Sequence, residues 1–190
     1  MKNKIQEYLL QLIHPELNQK FILEKNIKSI IDNNDGINIS IELNFPYKSQ
    51  EILYEKIIKD GLKKITDLNI TIKWSLKILS RQAQKGVSSI KGVKNIIAIA
   101  SGKGGVGKSS TAANLALALS SEGANVGILD ADIYGPSQPK MLGISQKPKS
   151  KDGKSMEPII IHDIQIMSIG FLVDQETPMV WRGPMVTGTL

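Results

Sequence analysis

Nine residues near the middle of the chain, SGKGGVGKS (101–109), contain four glycines and two lysines. Such a stretch suits an anion. Glycines let backbone N–H groups approach a ligand closely, and ammonium groups neutralise its charge. Two spacings fit at once. Gly102, Gly104 and Gly107 satisfy G-x-G-x-x-G, the dinucleotide fingerprint, while Gly102, Gly107, Lys108 and Ser109 satisfy G-x-x-x-x-G-K-[ST], the P-loop. A dinucleotide site would also want an acid about 20 residues further on to hold a ribose, and Asp130 stands near that distance. Lys108 and Ser109 tilt the balance, because a dinucleotide helix needs neither an ammonium nor a hydroxyl there. Lys103 adds a second cation, which suits a triphosphate better than a pyrophosphate diester. On the P-loop reading the N–H groups from Gly104 through Gly105, Val106 and Gly107 to Lys108 cradle the phosphates. Lys108 reaches the β- and γ-phosphates, Ser109 ligates Mg²⁺, and phosphoryl transfer rests on positioning and charge neutralisation.

Elements on either side must place this loop. NIIAIA (95–100) is a continuous apolar run, as expected of a strand buried on both faces in a parallel sheet. Residues 109–121 are rich in Ala and Leu and predict a mostly buried helix, which Gly123 would end. NVGILD (125–130) predicts the next buried strand. Strand, loop, helix and strand make a βαβ unit with the loop at the carboxyl edge of the sheet. Asp130 and Asp132 then end the second strand, which a parallel sheet would set beside the first. Carboxylates there can hold a Mg²⁺-bound water or orient the attacking water, and the plainer alternative is turn formation in DADIYGPS. Residues 131–157 read as a long polar segment, and IIIHDIQIMSIGFLV (159–173) as one or two strands.

Ahead of this lies a different pattern. Ile5, Leu9, Leu12 and Ile13 predict a helix over 2–13 that ends before His14-Pro15. Runs at 22–31 and 37–43 flank Asp32-Asn-Asn-Asp-Gly36, a hairpin signal, and INISIEL alternates as a half-buried strand should. Residues 50–65 predict a second helix with a stripe of Ile52, Leu53, Lys56, Ile57 and Lys59. Residues 68–76 alternate again, giving the order α-β-β-α-β. Trp74 alternates with Ile72 and Leu76 and is not assigned to the core. The domain reading is therefore a small α+β domain at 1–79, a linker at 80–93, and an α/β P-loop region at 94–190.

The chain has 190 residues, 41% hydrophobic and 22% charged, with a net charge of +6. These are ordinary proportions for a globular protein, and the positive balance suits a phosphate ligand without choosing among phosphate-bearing partners. No cysteine occurs, so these residues offer no disulfide, thiolate metal site or cysteine nucleophile. Met1 to Leu12 is interrupted by Lys4, Gln6, Glu7 and Gln11, unlike a secretory leader, and no apolar run approaches the roughly 20 residues of a membrane span. A cytoplasmic protein is the expectation. His14 and His162, the latter placed in a strand, are read as structural. Asp163 and Asp174 are read as turn or surface acids, and Lys147, Lys149, Lys151 and Lys154 as a solvated loop.

KGGVGKS, with its early Lys103, resembles the deviant Walker A motif of the MinD/ParA/Mrp group of P-loop ATPases. The longer stretch from KNIIAIASGKGGVGKSS to DADIYGPSQPKMLG, together with PMVWRGPMVTG (178–188), is similar to the Mrp/ApbC subgroup of iron–sulfur cluster carriers. HPEL (14–17) and the α-β-β-α-β order resemble the small iron–sulfur-assembly domain that precedes the ATPase in bacterial members. The resemblance implies ATP bound by Gly102, Lys103, Gly104, Gly105, Val106, Gly107, Lys108, Ser109 and Ser110, with Thr111 flanking the phosphates. It implies that Lys103 reaches across a homodimer to the partner's nucleotide. Asp130 matches the strand-end acid, reaching Mg²⁺ through water, and Asp132 the switch I aspartate. A 4Fe–4S cluster, apo iron–sulfur proteins and cluster-assembly factors are the implied cargo and partners, with neither nucleic acid nor membrane.

Two parts of that pattern lie outside these residues: the aspartate-Pro-Pro-Gly switch and the Cys-x-x-Cys cluster ligands. The expectation is a C-terminally truncated piece with an open sheet edge, negligible ATP hydrolysis of its own and no bound cluster. The competing functions are a MinD/ParA-like positioning ATPase at membrane or DNA, and a non-enzymatic adaptor. The N-terminal domain and WRGP argue against the first, and the intact P-loop against the second.

Overall fold

A computed structural model describes residues 1–33, 36–81, 90–132, 135–153 and 155–172. It divides into two units, Met1–Ile96 and Ile97–Leu190. In the first, helix α1 (Lys2–Gln11) buries Ile5 and Leu9, four residues and thus one turn apart. Strands β1 (Ile27–Asn33) and β2 (Gly36–Leu43) pair antiparallel down to Asn33 opposite Gly36. The predicted turn tip at 34–35 lies outside the described residues. β1 starts later than the apolar run at 22–31 suggests, because a 3-10 turn occupies Glu24–Asn26. There the Asn26 side chain accepts from Leu23 N at 2.9 Å and donates to Glu42 O at 2.7 Å.

Helix α2 (Glu51–Leu62) then returns the chain so that β3 (Ile70–Leu76) pairs parallel to β2, giving the sheet order β1-β2-β3. α2 does not bury the stripe expected of it. Tyr54, Ile58 and Leu62 face the core at i, i+4 and i+8, while Ile52 is 84% exposed. The strand alternation is as expected, with Ile37, Ile39, Ile41 and Leu43 buried. Trp74 shares the face of Ile70 and Ile72, an even spacing along the strand, and packs against this core. Burial, with the Asp60 charge second, pushes the Tyr8 phenol up.

His14 is structural on this geometry. Its Nδ1 accepts from Glu16 N at 3.1 Å and Leu17 N at 3.2 Å, which leaves the ring proton on Nε2, 2.6 Å from Tyr54 Oη. The one glycine that the first sheet cannot spare is Gly36. Its φ is +147°, and a Cβ there would lie 2.5 Å from the Asn69 carbonyl oxygen. Gly36→Ala should therefore destabilise the unit by about 1–3 kcal/mol. Urea unfolding checks this, and an unchanged midpoint would contradict it.

In the second unit, helix α3 (Lys108–Ser121) follows the glycine loop, and β4 (Val126–Asp130) follows α3. Gly123 ends α3 as expected. It sits at φ +92°, with Gly123 N bonding Ser120 O at 2.9 Å and Ala124 N bonding Leu119 O at 3.0 Å, a Schellman closure. Helix α4 (Gln138–Met141) lies within the long polar segment 131–157, for which the sequence offers no element. β5 (Ile159–Ile161) and β6 (Ile164–Ser168) form a hairpin. His162 and Asp163 make its two-residue turn at φ +50° and +59°, so His162 is a turn residue rather than a strand residue. The sheet order is β4-β6-β5, with β4 parallel to β6 and β5 antiparallel, which makes the sheet mixed rather than purely parallel.

Four further expectations fail here. NIIAIA is not a strand, and Ile96 and Ile97 are 68% and 62% exposed. A doubly buried strand needs hydrogen-bonding neighbours and cover on both faces, and no strand among the described residues pairs with 95–100. Asp130 consequently stands beside Ser168 of β6, not beside a strand leading into the loop. α3 buries only Ala113 and Ala116, a narrow stripe against β4 and β6, and β4 leaves Leu129 65% exposed. Asp174, Trp181, Lys154 and the WRGP segment lie outside the described residues.

Candidate nucleotide-binding site

The glycine loop turns into α3 through two left-handed residues, Gly105 at φ +75° and Gly107 at φ +86°. Any other residue type would be strained there. Gly107 is the N-cap of α3, and Thr111 N bonds its carbonyl at 2.9 Å. Lys108 and Ser109 therefore start the helix, at the end where backbone donors are unpaired and the helix dipole favours negative charge. Ser101 sets the entry to the loop. Its hydroxyl accepts from Lys103 N at 3.1 Å and donates to Lys103 O at 2.5 Å.

These residues face a cleft of about 600 Å³, within the usual range for a small-molecule site. Ser101, Gly102, Lys103, Gly104, Gly105, Gly107, Lys108, Ser109 and Ser110 line one side, with Asp132, Gly135 and Ser137 across from them. A Cβ built on Gly102, Gly104, Gly105 or Gly107 meets no atom within 4 Å, so the loop backbone borders open space. Ammonium groups, hydroxyls and exposed backbone around such a space match the donor set for phosphate. The Ser109 hydroxyl and the neighbouring carboxylate are hard oxygen donors of the kind Mg²⁺ takes. The residues present fit both groups. Among the described residues no cluster of three or more His, Cys, Asp or Glu forms, so no metal cage made of those side chains competes with this arrangement.

The structure brings together all but three of the residues that the sequence points to, and Thr111, one of the three, is exposed and outside the cleft lining. Val106 is 57% exposed and outside the cleft lining. Asp130 is buried behind the lining. Lys108 Nζ forms an ion pair with Asp132 Oδ2, while Asp132 Oδ1 accepts from Gly135 N at 3.2 Å. Phosphate oxygens in the cleft would compete with Asp132 for the same ammonium. Lys103 is exposed and makes no ion pair among the described residues, so its charge remains available to a ligand.

Asp130 has a fuller set of protein partners than its sequence position suggests. Its Oδ2 accepts from Ser137 N, Gln138 N and Ser168 Oγ, each at 3.1 Å, and its Oδ1 from Asp132 N at 3.2 Å. Gln138, 3% exposed, donates from Nε2 to Ser109 O at 3.0 Å. Ser137 Oγ is buried with no hydrogen-bond partner. Sequence reasoning missed Ser137, Gln138 and Ser168. Ser137 ends DADIYGPS, for which turn formation is only the plainer alternative, and Gln138 follows it in the long polar segment. Ser168 lies within the run 159–173 that reads only as one or two strands, where its polarity is the one available signal.

Residues 92–190 match the ParA family, described as NUBPL iron-transfer P-loop NTPase. Over 192 aligned positions the chain is 43% identical to the iron-sulfur cluster carrier protein of Haemophilus influenzae, covering 100% of this chain and 52% of the relative. It is 46% identical over 179 positions to the protein of the same name from Escherichia coli K12, covering 93% of this chain and 48% of that one. With the Pseudomonas fragi protein of that name identity rises to 61% over 115 positions, or 60% of this chain and 40% of the relative. The chain thus spans about half the length of the curated relatives it matches.

Proposed function

This chain belongs to the ParA family of NUBPL iron-transfer P-loop NTPases, and from that premise we propose that it supplies the nucleotide-binding part of an ATP-hydrolysing carrier of iron–sulfur clusters, cytoplasmic and homodimeric. The observation that carries this reading is the single cleft in which Lys103, Lys108, Ser109, Ser110 and Asp132 border the open face of the glycine loop. ATP is the substrate. The loop N–H groups hold its phosphates, and the Lys108 ammonium neutralises the terminal ones. Mg²⁺, held by Ser109 Oγ, would supply further charge neutralisation on the β- and γ-oxygens. Asp130, behind the cleft lining, would help hold that ion only through water, because its two oxygens already accept four protein donors. Asp132 orients the attacking water from across the cleft.

The cluster, which we take to be 4Fe–4S, is cargo for apo iron–sulfur proteins and assembly factors. Clusters are held by cysteine thiolates, and these residues contain none, so the ligands belong to a part of the carrier beyond them. Reconstitution of the full-length protein with iron and sulfide tests this. Charge-transfer absorbance should appear and pass to an apoprotein acceptor, and a protein that takes up no cluster would refute the carrier role.

Lys103 carries the dimer part of the proposal. Its exposed ammonium, at the cleft rim, can meet the phosphates of a partner subunit's nucleotide. Lys103→Ala should lower turnover about 10²-fold, the loss typical of one transition-state donor, with nucleotide affinity changed only about threefold. Equal losses in binding and turnover would place Lys103 on its own subunit's nucleotide instead.

A further inference from the structure

We propose that Ser168 is a positioning residue for the nucleotide cleft, acting through Asp130. The proposal rests on the nucleotide reading of that cleft. β4 and β6 are parallel, with Asp130 and Ser168 paired in register, so their side chains meet at the carboxyl end of the sheet. Ser168 is fully buried. Its Oγ accepts from Gly170 N at 3.0 Å, which leaves the hydroxyl proton for Asp130 Oδ2 at 3.1 Å.

The carboxylate so fixed holds backbone N–H groups of residues at and beside the cleft lining. One oxygen takes Asp132 N, and the other takes Ser137 N and Gln138 N. Asp132 and Ser137 line the cleft, and Gln138 closes the ring by bonding the Ser109 carbonyl. A path of hydrogen bonds therefore runs from the end of β6 to the first turn of α3. A carboxylate with two oxygens and four donors has little freedom to rotate. Without the donor from β6 the three remaining donors all belong to the residues being positioned, so the carboxylate and these residues can shift together and misplace Asp132 and Ser137. Hydrogen bonds to a charged group are about twice as strong as neutral ones, so the link is stiff as well as buried.

The test uses the full-length protein. Ser168→Ala should lower the kcat for ATP about tenfold, the rate equivalent of one hydrogen bond to a charged group. KM and nucleotide affinity should stay within about threefold, because the P-loop groups that bind phosphate are untouched. Ser168→Thr, which keeps the hydroxyl, should recover most of the rate. A Ser168→Ala protein that melts earlier but turns over normally while folded would overturn the proposal, since that is how a purely structural serine behaves. If Ser168→Ala does not fold, Ser168→Cys, with a weaker donor, must show reduced kcat at unchanged KM, and normal kcat would overturn the proposal. Lys108→Ala separates the two levels. Full turnover in Lys108→Ala would sink the nucleotide reading itself, whereas an inactive Lys108→Ala beside a normal Ser168→Ala would sink only the role of Ser168.

Discussion

Lys108→Ala in the full-length protein should abolish ATP hydrolysis, lowering turnover by about 10³-fold or more. Lys108 is the first residue of α3, directly after the left-handed Gly107, so its position is fixed by the loop and not by a flexible linker. It is also the cation that Asp132 pairs with. The substitution has two consequences with the same sign. It removes the ammonium that offsets charge on the terminal phosphates. It also leaves the Asp132 carboxylate without that partner in the cleft that must accept them, and like charges at such range repel. Arginine should not restore the rate, because a planar guanidinium cannot replace a compact ammonium at a site shaped for one. Phosphate release and a fluorescent-nucleotide titration measure the two effects separately. Undiminished turnover would end the P-loop assignment.

The largest effect on stability is expected in the first unit, from Tyr54→Ala. Tyr54 is 1% exposed on α2, with ring centroids 4.6 Å from Phe21, 5.6 Å from His14 and 6.1 Å from Trp74. Truncating a buried aromatic of this kind costs about 3–5 kcal/mol. Whole domains are stable by only about 5–15 kcal/mol, so the substitution removes a large share. Tyr54→Phe isolates the hydroxyl. It leaves His14 Nε2 without its partner while keeping the ring, and should cost about 1–3 kcal/mol. Urea unfolding followed by tryptophan fluorescence reads this cluster through Trp74. A Tyr54→Ala midpoint close to that of the parent would show that the ring is not central to the core.

How much of this was legible in the sequence depends on how local the cause is. The order of helices and strands in the first unit follows from periodicity, and β2 shows it cleanly in its alternating isoleucines. The stripe of α2 was misread because several residues on it are apolar, and only packing selects Tyr54, Ile58 and Leu62 over Ile52. The run at 95–100 has the composition of a buried strand, but a strand is defined by its neighbours. Asp130 stood out as an acid at the end of an apolar run, yet its partners lie as far along the chain as Ser168.

By itself the sequence determined the phosphate loop. Gly105 and Gly107 are required by backbone sterics alone, and Lys108 and Ser109 follow by adjacency, so four residues and their order suffice. It also determined where α3 stops, since Gly123 and Ala124 close the helix through bonds to Ser120 and Leu119, three and five positions before each. Only the tertiary structure decided which side chains meet across the cleft. The Lys108–Asp132 pair, the four donors on Asp130 and the link from Gln138 to Ser109 join residues between 2 and 38 positions apart. The Ser168 bond among them depends on β4 and β6 pairing in parallel, a long-range register that local pattern does not encode.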